Sequence, residues 1–126
     1  MFDIVYNYIN SYLKYPFSSN FMLNNIDEDS QIILTRNNTT IYKKKLEFIE
    51  FLENKNNHNL VEDADIISIN YRKLSDNKIE IYLLTKQKHY YENDEIKEIV
   101  VSDHIIIKIN DNKINYIHHN WKPLKL

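Results

Sequence analysis

The chain contains no glycine in 126 residues. Glycine enters positive φ without steric cost, so tight turns here must be built from Asn or Asp, the side chains that tolerate that region best. The chemical consequence is equally sharp. Phosphate-cradling loops, dinucleotide-binding turns and the nucleophile elbow of serine hydrolases are built with glycine, so those motifs are excluded. Cysteine is also absent, which removes disulfides, zinc-thiolate sites and thiol nucleophiles.

The rest of the composition sets the class. With 43% hydrophobic and 27% charged residues and a net charge of -2, the chain reads as one soluble globular unit over residues 1–126. The near-balance of charge speaks against nucleic-acid or anionic-membrane binding. No apolar run approaches a membrane span, and the start MFDIVYNYIN lacks the basic-then-apolar order of a secretory signal. The compartment stays open: cytoplasmic, or extracellular if an upstream export signal has been removed.

Apolar periodicity places the elements. Phe2, Val5, Tyr6, Ile9, Tyr12 and Leu13 recur at spacings of three and four, predicting a helix over about 2–15 that Pro16 ends. Residues 16–38 resist assignment. Thr39 or Thr40 is a plausible N-cap for a second helix over about 40–55, with Ile41, Tyr42, Leu46, Phe48, Ile49 and Leu52 on its apolar side.

After Leu60 the period changes to two. The segments from Ile67 and from Ile105 share an Asp-Asn-Lys-Ile turn, at Asp76-Asn77 and Asp111-Asn112, and Asn93-Asp94-Glu95 joins the two hairpins. A four-stranded antiparallel meander follows, with strands of about 64–74, 78–91, 97–109 and 113–121. A regular two-residue turn at Asp111-Asn112 pairs Ile109 with Ile114, Ile107 with Tyr116 and Ile105 with His118. On the opposite side His104 meets His119, and Ser102 meets Trp121. In the first hairpin the same reading pairs Tyr71 with Tyr82 and Ile69 with Leu84. The architecture is α+β, with N-terminal helices on a curved four-stranded antiparallel sheet. Both sheet faces carry apolar groups, so helices cover one and a partner suits the other.

Five histidines, His58, His89, His104, His118 and His119, are the conventional candidates for acid/base or metal work. His118 and His119 point to opposite faces, whereas His104 and His119 form a cross-strand pair that with Trp121 makes a polar patch. No metal and no cofactor is expected, since these groups are explained by hydrogen bonding at a core edge. Asp27-Glu28-Asp29 and Glu62-Asp63-Asp65 read as charged loops, and Lys43-Lys44-Lys45 with Arg36 is offset by Glu47 and Glu50.

The order of elements resembles the nuclear transport factor 2-like, or cystatin-like, cone. More narrowly it is similar to the non-catalytic domain that precedes the cysteine-dependent module in amidases of clostridia and bacilli. The stretches that carry the likeness are Lys43-Lys-Lys-Leu-Glu-Phe-Ile-Glu-Phe-Leu52, Ile66 to Tyr82, Val101-Ser-Asp-His-Ile-Ile-Ile107, and Asn110-Asp-Asn-Lys through Asn120-Trp-Lys-Pro123, about two-thirds of the chain. The family's last hairpin carries glycine, where this chain has Asp111-Asn112. The resemblance implies a non-enzymatic accessory role: positioning a neighbouring domain, contacting envelope material, or binding a protein partner. An exposed apolar sheet face would suit docking or homodimerisation, and an immunity or adaptor protein of the same fold is a third reading. The alternative it implies is a small-ligand binder or minor enzyme using the cone pocket. Such a pocket would be lined by Tyr6, Ile9 and Phe48 from the helices, Ile69, Tyr71 and Leu84 from the first hairpin, and Ile107 and Tyr116 from the second. His118 would be its inward ionisable group. A cavity of a few hundred Å³ holding such a group would favour the ligand reading.

Overall fold

The computed structural model describes residues 2–54, 60–90 and 95–124. Helix α1, Phe2–Leu13, buries Val5, Tyr8, Ile9, Tyr12 and Leu13. Its inward stripe therefore runs through Tyr8, while Tyr6 is half exposed. The helix stops at Leu13, whose carbonyl accepts a bond from the Ala64 backbone N–H. A short α2, Asn20–Asn25, and strand β1, Ile26–Arg36, fill the stretch that periodicity left open. Asp27, Glu28 and Asp29 thus lie in a strand, not a loop.

The helix expected over 40–55 is two elements. Thr39–Lys43 is strand β2, paired antiparallel with β1 from Ile32↔Lys43 to Arg36↔Thr39. Asn37 and Asn38, both at positive φ, form its turn. The β-branched run Thr39-Thr40-Ile41 favours strand, and once the Asn-Asn turn reverses the chain, pairing with β1 outweighs the weak helical period. Helix α3 then covers Lys45–Glu53, where the Glu47 carboxylate accepts a 2.8 Å bond from the Lys44 backbone N–H at the helix start.

Strands β3 (Asp65–Ser75), β4 (Lys78–Tyr90), β5 (Ile96–Asn110) and β6 (Lys113–Leu124) supply the expected meander, with ends displaced by a few residues. The sheet itself is six-stranded and mixed, in the order β2-β1-β6-β5-β4-β3, because β1 lies parallel to β6. His58 and Tyr91, and most of the break expected at 93–95, lie outside the described residues. The core joins Tyr8 and Ile9 of α1 and Phe48 of α3 to Ile81, Ile105 and Ile117 of the sheet.

One irregularity decides which side chains face that core. Ile109 pairs with Ile114 as a regular turn requires, but Lys108 then pairs with Tyr116, so Asn115 is an extra residue in β6. Beyond it the register differs from the regular one throughout: Ile107 meets Ile117, Ile105 meets His119, and Asp103 meets Trp121. Ile117 and His119 are consequently buried, and Tyr116 and His118 turn to the outer face. His104 pairs with Asn120, not His119. A similar offset near Leu74 pairs Tyr71 with Ile81 and Ile69 with Leu83.

The bulge makes a prediction that a regular hairpin would reverse for one residue. Ile107→Ala should cost about 2–5 kcal/mol, whereas Tyr116→Ala, outside the core, should cost no more than about 1 kcal/mol. Urea melts of the two variants check this. Equal large losses would place Tyr116 inside.

Candidate functional site

Along β4 the inward face changes character: Ile79, Ile81 and Leu83 give way to Thr85, Gln87 and His89, all buried. The neighbouring strands change with it. Asp103 of β5 lies opposite Leu83, His119 of β6 lies opposite Ile105, and Leu34 and Arg36 of β1 pair with His119 and Trp121. The cone therefore has an apolar end and a polar end. Side chains of α1 and α3 close over the polar one.

Its deepest part is a hydrogen-bonded row. The Tyr8 hydroxyl lies 3.2 Å from His119 Nδ1, and His119 Nε2 lies 3.1 Å from Asp103 Oδ2. Tyr8 is 0%, His119 3% and Asp103 1% exposed, so an unpaired polar group here would carry a full desolvation cost. Burial, reinforced by the Asp103 charge, pushes the Tyr8 and Tyr12 hydroxyls well above the usual phenol range. With Tyr8 protonated, its hydroxyl donates to Nδ1, and Nε2–H donates to Asp103 Oδ2. Whichever protons the ring carries, both of its nitrogens face a buried partner. Tyr12 packs on the ring itself, with centroids 4.5 Å apart. Asp103 Oδ1 has no hydrogen-bond partner among the described residues.

Nearer the mouth, His89 Nε2 lies 2.7 Å from Gln87 Oε1, and Gln87 Nε2 donates to Thr85 Oγ1 at 2.8 Å. With Nε2–H donating to the amide oxygen, Nδ1 is left as an acceptor. Burial, with a smaller contribution from the Arg36 charge, lowers the His89 pKa to about 4. The Arg36 guanidinium sits 4.3 Å from the Trp121 ring centroid. Tyr12, Thr35, Arg36, His89 and His119 form the polar wall of a cavity of about 50 Å³, and Phe48, Phe51, Leu52 and Trp121 most of its apolar wall. A larger groove of about 430 Å³ runs beside β2 and the start of α3, but it is open to solvent and mixes Lys43 and Lys44 with Asp29 and Glu47.

No protein-family model matches the sequence, and no curated protein matches it closely enough to count as a relative. Solved structures do match. A Caulobacter vibrioides protein described as having a cystatin-like fold superposes with TM-score 0.74 at 7% identity, covering 98% of this chain and 89% of its own. A nuclear transport factor 2-like protein from Anabaena variabilis gives 0.73 at 9% identity, covering 99% and 90%. A SnoaL-like polyketide cyclase from Shewanella denitrificans gives 0.68 at 12% identity, covering 95% and 88%. The fold is nuclear transport factor 2-like.

In this nuclear transport factor 2-like cone the residues expected to line a pocket are scattered. Phe48 does line the cavity. Ile9 and Ile107 are fully buried in the core, and Ile69 packs against it. Tyr6 is half exposed, and Tyr71 meets Phe2 edge-on at 5.9 Å on the β3 side. Leu84, Tyr116 and His118 belong to the outer face, because β4 alternates and β6 is bulged. The inward histidine is His119 in place of His118. The polar patch is likewise divided: His119 and Trp121 line the cavity, while His104 lies outside, stacked on Tyr82 at 4.7 Å. Its Nε2 lies 2.9 Å from Glu80 Oε2, and that bond is the main reason the Glu80 carboxyl sits below its usual range. A metal shared by His104 and His119 is excluded by the sheet between them. Among the described residues there is no group of three or more potential ligands for a metal ion.

Sequence reasoning missed Arg36 and His89 as members of the site. The signal available for His89 was its place in the alternation Thr85, Gln87, His89, where inward polar residues extend an apolar face. For Arg36 there was none without knowing that β1 pairs with β6.

The His89 shift carries a pH signature. An unfolded histidine takes up a proton near pH 6.5, while the folded one waits until about 4, so the unfolded state binds more protons in that interval. Stability contributed by this group should be complete above about pH 6.5, fall as pH drops towards 4, and level off below. Proton NMR of the His89 ring checks it. A midpoint above 6 would show that the ring is not buried as described.

Proposed function

We propose that the chain is a non-catalytic binding domain that holds a small ligand at the polar end of its cone. The observation that carries this reading is the double engagement of His119. The buried His119 imidazole in the cavity wall has Tyr8 on one nitrogen and Asp103 on the other, so both of its ring nitrogens are taken up by buried groups of the protein itself, which supports a positioning role over a catalytic one. The same row orients the His119 ring, which with Tyr12, Phe48 and Trp121 lines a cavity of polar and aromatic walls, as a binding site requires. The cyclase-like Shewanella neighbour is an enzyme by description, but it shares only the fold at 12% identity.

The cavity of about 50 Å³ falls short of the few hundred Å³ that would favour the ligand reading by size alone, so that reading rests on the walls and not on the volume. It suits a short ligand, or one end of a longer one. A second reading, a protein-docking accessory domain, is supported by the outer face, where Tyr82 is 51% exposed and Ile67 52%. Under it the sheet would meet a neighbouring domain, a second copy or a target protein. Pairing with an amidase rests on the sequence stretches alone, and an immunity or adaptor role would use the same fold and surface as the docking reading.

Trp121 is the only tryptophan and stands in the cavity wall, so its fluorescence reports occupancy directly. A library of small polar compounds should yield members that change this emission in a saturable way and raise the melting temperature, with none consumed on prolonged incubation. Turnover of a bound compound would overturn the non-catalytic reading. A library without a single saturating response would favour the docking surface.

A further inference from the structure

The groove beside the start of α3 shares no described lining residue with the cone cavity, so a site there is independent of the reading above. Its volume of about 430 Å³ falls within the range of ligand pockets, roughly 300–1,000 Å³. One side of it is formed by Asp29 to Ile32 of β1. Pairing of β1 with β2 begins at Ile32↔Lys43, and on its other side β1 pairs with β6 at Ile26 and again from Gln31 onwards. Asp27 to Ser30 therefore have no ladder partner in either neighbouring strand, although they lie within a strand. Their backbone N–H and C=O groups need partners elsewhere, and a guest with a backbone of its own supplies them.

Ser30 points the same way. It is 1% exposed, and its hydroxyl has no hydrogen-bond partner among the described residues. Such a group carries a desolvation cost that a bound donor or acceptor removes. The charges around it come in both signs. Lys43 lies opposite Ile32 and Lys44 follows it, whereas Asp29 stands three residues back along β1, a reach of about 10 Å at most. The Lys43 ammonium rests 5.5 Å from the Phe51 ring centroid, which makes Lys44 the cation for a guest. Lys45 takes no part, because its ammonium is held by the Leu23 carbonyl at 2.7 Å and Glu28 at 3.4 Å. Glu47 is partly committed, since its carboxylate accepts the Lys44 backbone N–H. The groove thus offers a cation at one end, an anion at the other, and hydrogen bonds between.

We propose that this groove binds a short peptide with free termini, extended beside Asp29 to Ile32, its carboxylate at Lys44 and its ammonium at Asp29. An extended tripeptide spans roughly 10 Å, which matches the separation of the two charges. The guest runs parallel to β1, because Asp29 precedes Ile32 and a peptide runs from ammonium to carboxylate. A single amino acid is too short to meet both ends. Strand addition of this kind draws its affinity from backbone and termini, with side chains secondary.

The test titrates trialanine, N-acetyl-trialanine amide and alanine separately into the ¹⁵N-labelled full chain and follows the backbone amide resonances. Trialanine should shift residues 29–32 and 43–47 in a saturable way and leave the Trp121 indole N–H in place. The blocked peptide, which lacks the charges, and alanine, which lacks the length, should each bind at least about fivefold more weakly. Asp29→Asn and Lys44→Gln, both at exposed positions, should each weaken trialanine by about twofold to fivefold with the melting temperature unchanged. Ser30→Ala gives a readout that a purely structural hydroxyl would not: it should keep or raise the melting temperature, since it removes an unpaired polar group, and still weaken trialanine severalfold. Equal binding of the blocked peptide or of alanine would overturn the peptide assignment, as would trialanine binding that none of the three variants weakens. No saturable shift with trialanine, or shifts confined to the cone cavity, would overturn the site itself and leave the cone reading untouched.

Discussion

Between Ile114 and Tyr116 the last strand takes in one residue more than its partner, and every inward side chain beyond that point follows from it. A strand has a side-chain period of two, so one inserted residue exchanges the faces of all that come after. With Asn115 in place, Ile117 joins the core and His119 and Trp121 enter the cone. Without it, the inward set would be Tyr116, His118 and Asn120. The polar end, its cavity and its aromatic reporter all depend on this residue, whose own amide oxygen is buried without a partner among the described residues.

The bulge creates an electrostatic problem that α1 helps to solve. Placing His119 beside the fully buried Asp103 would be costly if either were unsatisfied, and the Tyr8 hydroxyl completes the row from the opposite layer. Such a row is directional where apolar contacts are not, so it specifies the rotation of α1 about its axis as well as its position. It also explains why Tyr8, and not Tyr6, lies on the buried stripe. The cost of so committed an imidazole is chemical. A ring engaged on both sides has its hydrogen-bonding capacity taken up by the protein itself.

The absence of glycine leaves a visible trace in the backbone. Among the described residues, positive φ occurs at Asn37, Asn38, Asp111 and Asn112, two to each of two turns. The turn at 111–112 was legible because alternating isoleucines flank it. Its twin at 37–38 carries the same chemistry, but Thr39 to Leu52 also fits a helical period, and that competing pattern concealed strand β2. Parallel pairing of β1 with β6 leaves no local mark at all, since the partners are separated by most of the chain and no turn connects them directly.

Local rules were sufficient for elements whose causes lie within a few residues: α1 up to its last turn, the long strands, the second hairpin turn, and the α+β class. They also excluded whole chemistries, because a chain without Cys or Gly lacks the atoms or the backbone freedom those sites need. Face assignment was another matter. His118 and His119 are adjacent and chemically identical, and which of them looks inward is decided by a bulge whose energy comes from packing Ile117 and joining Tyr8, His119 and Asp103 across layers. Arg36 reaches Trp121 only because two strands far apart in sequence lie side by side. Those are sums over distant contacts, and only the tertiary structure performs them.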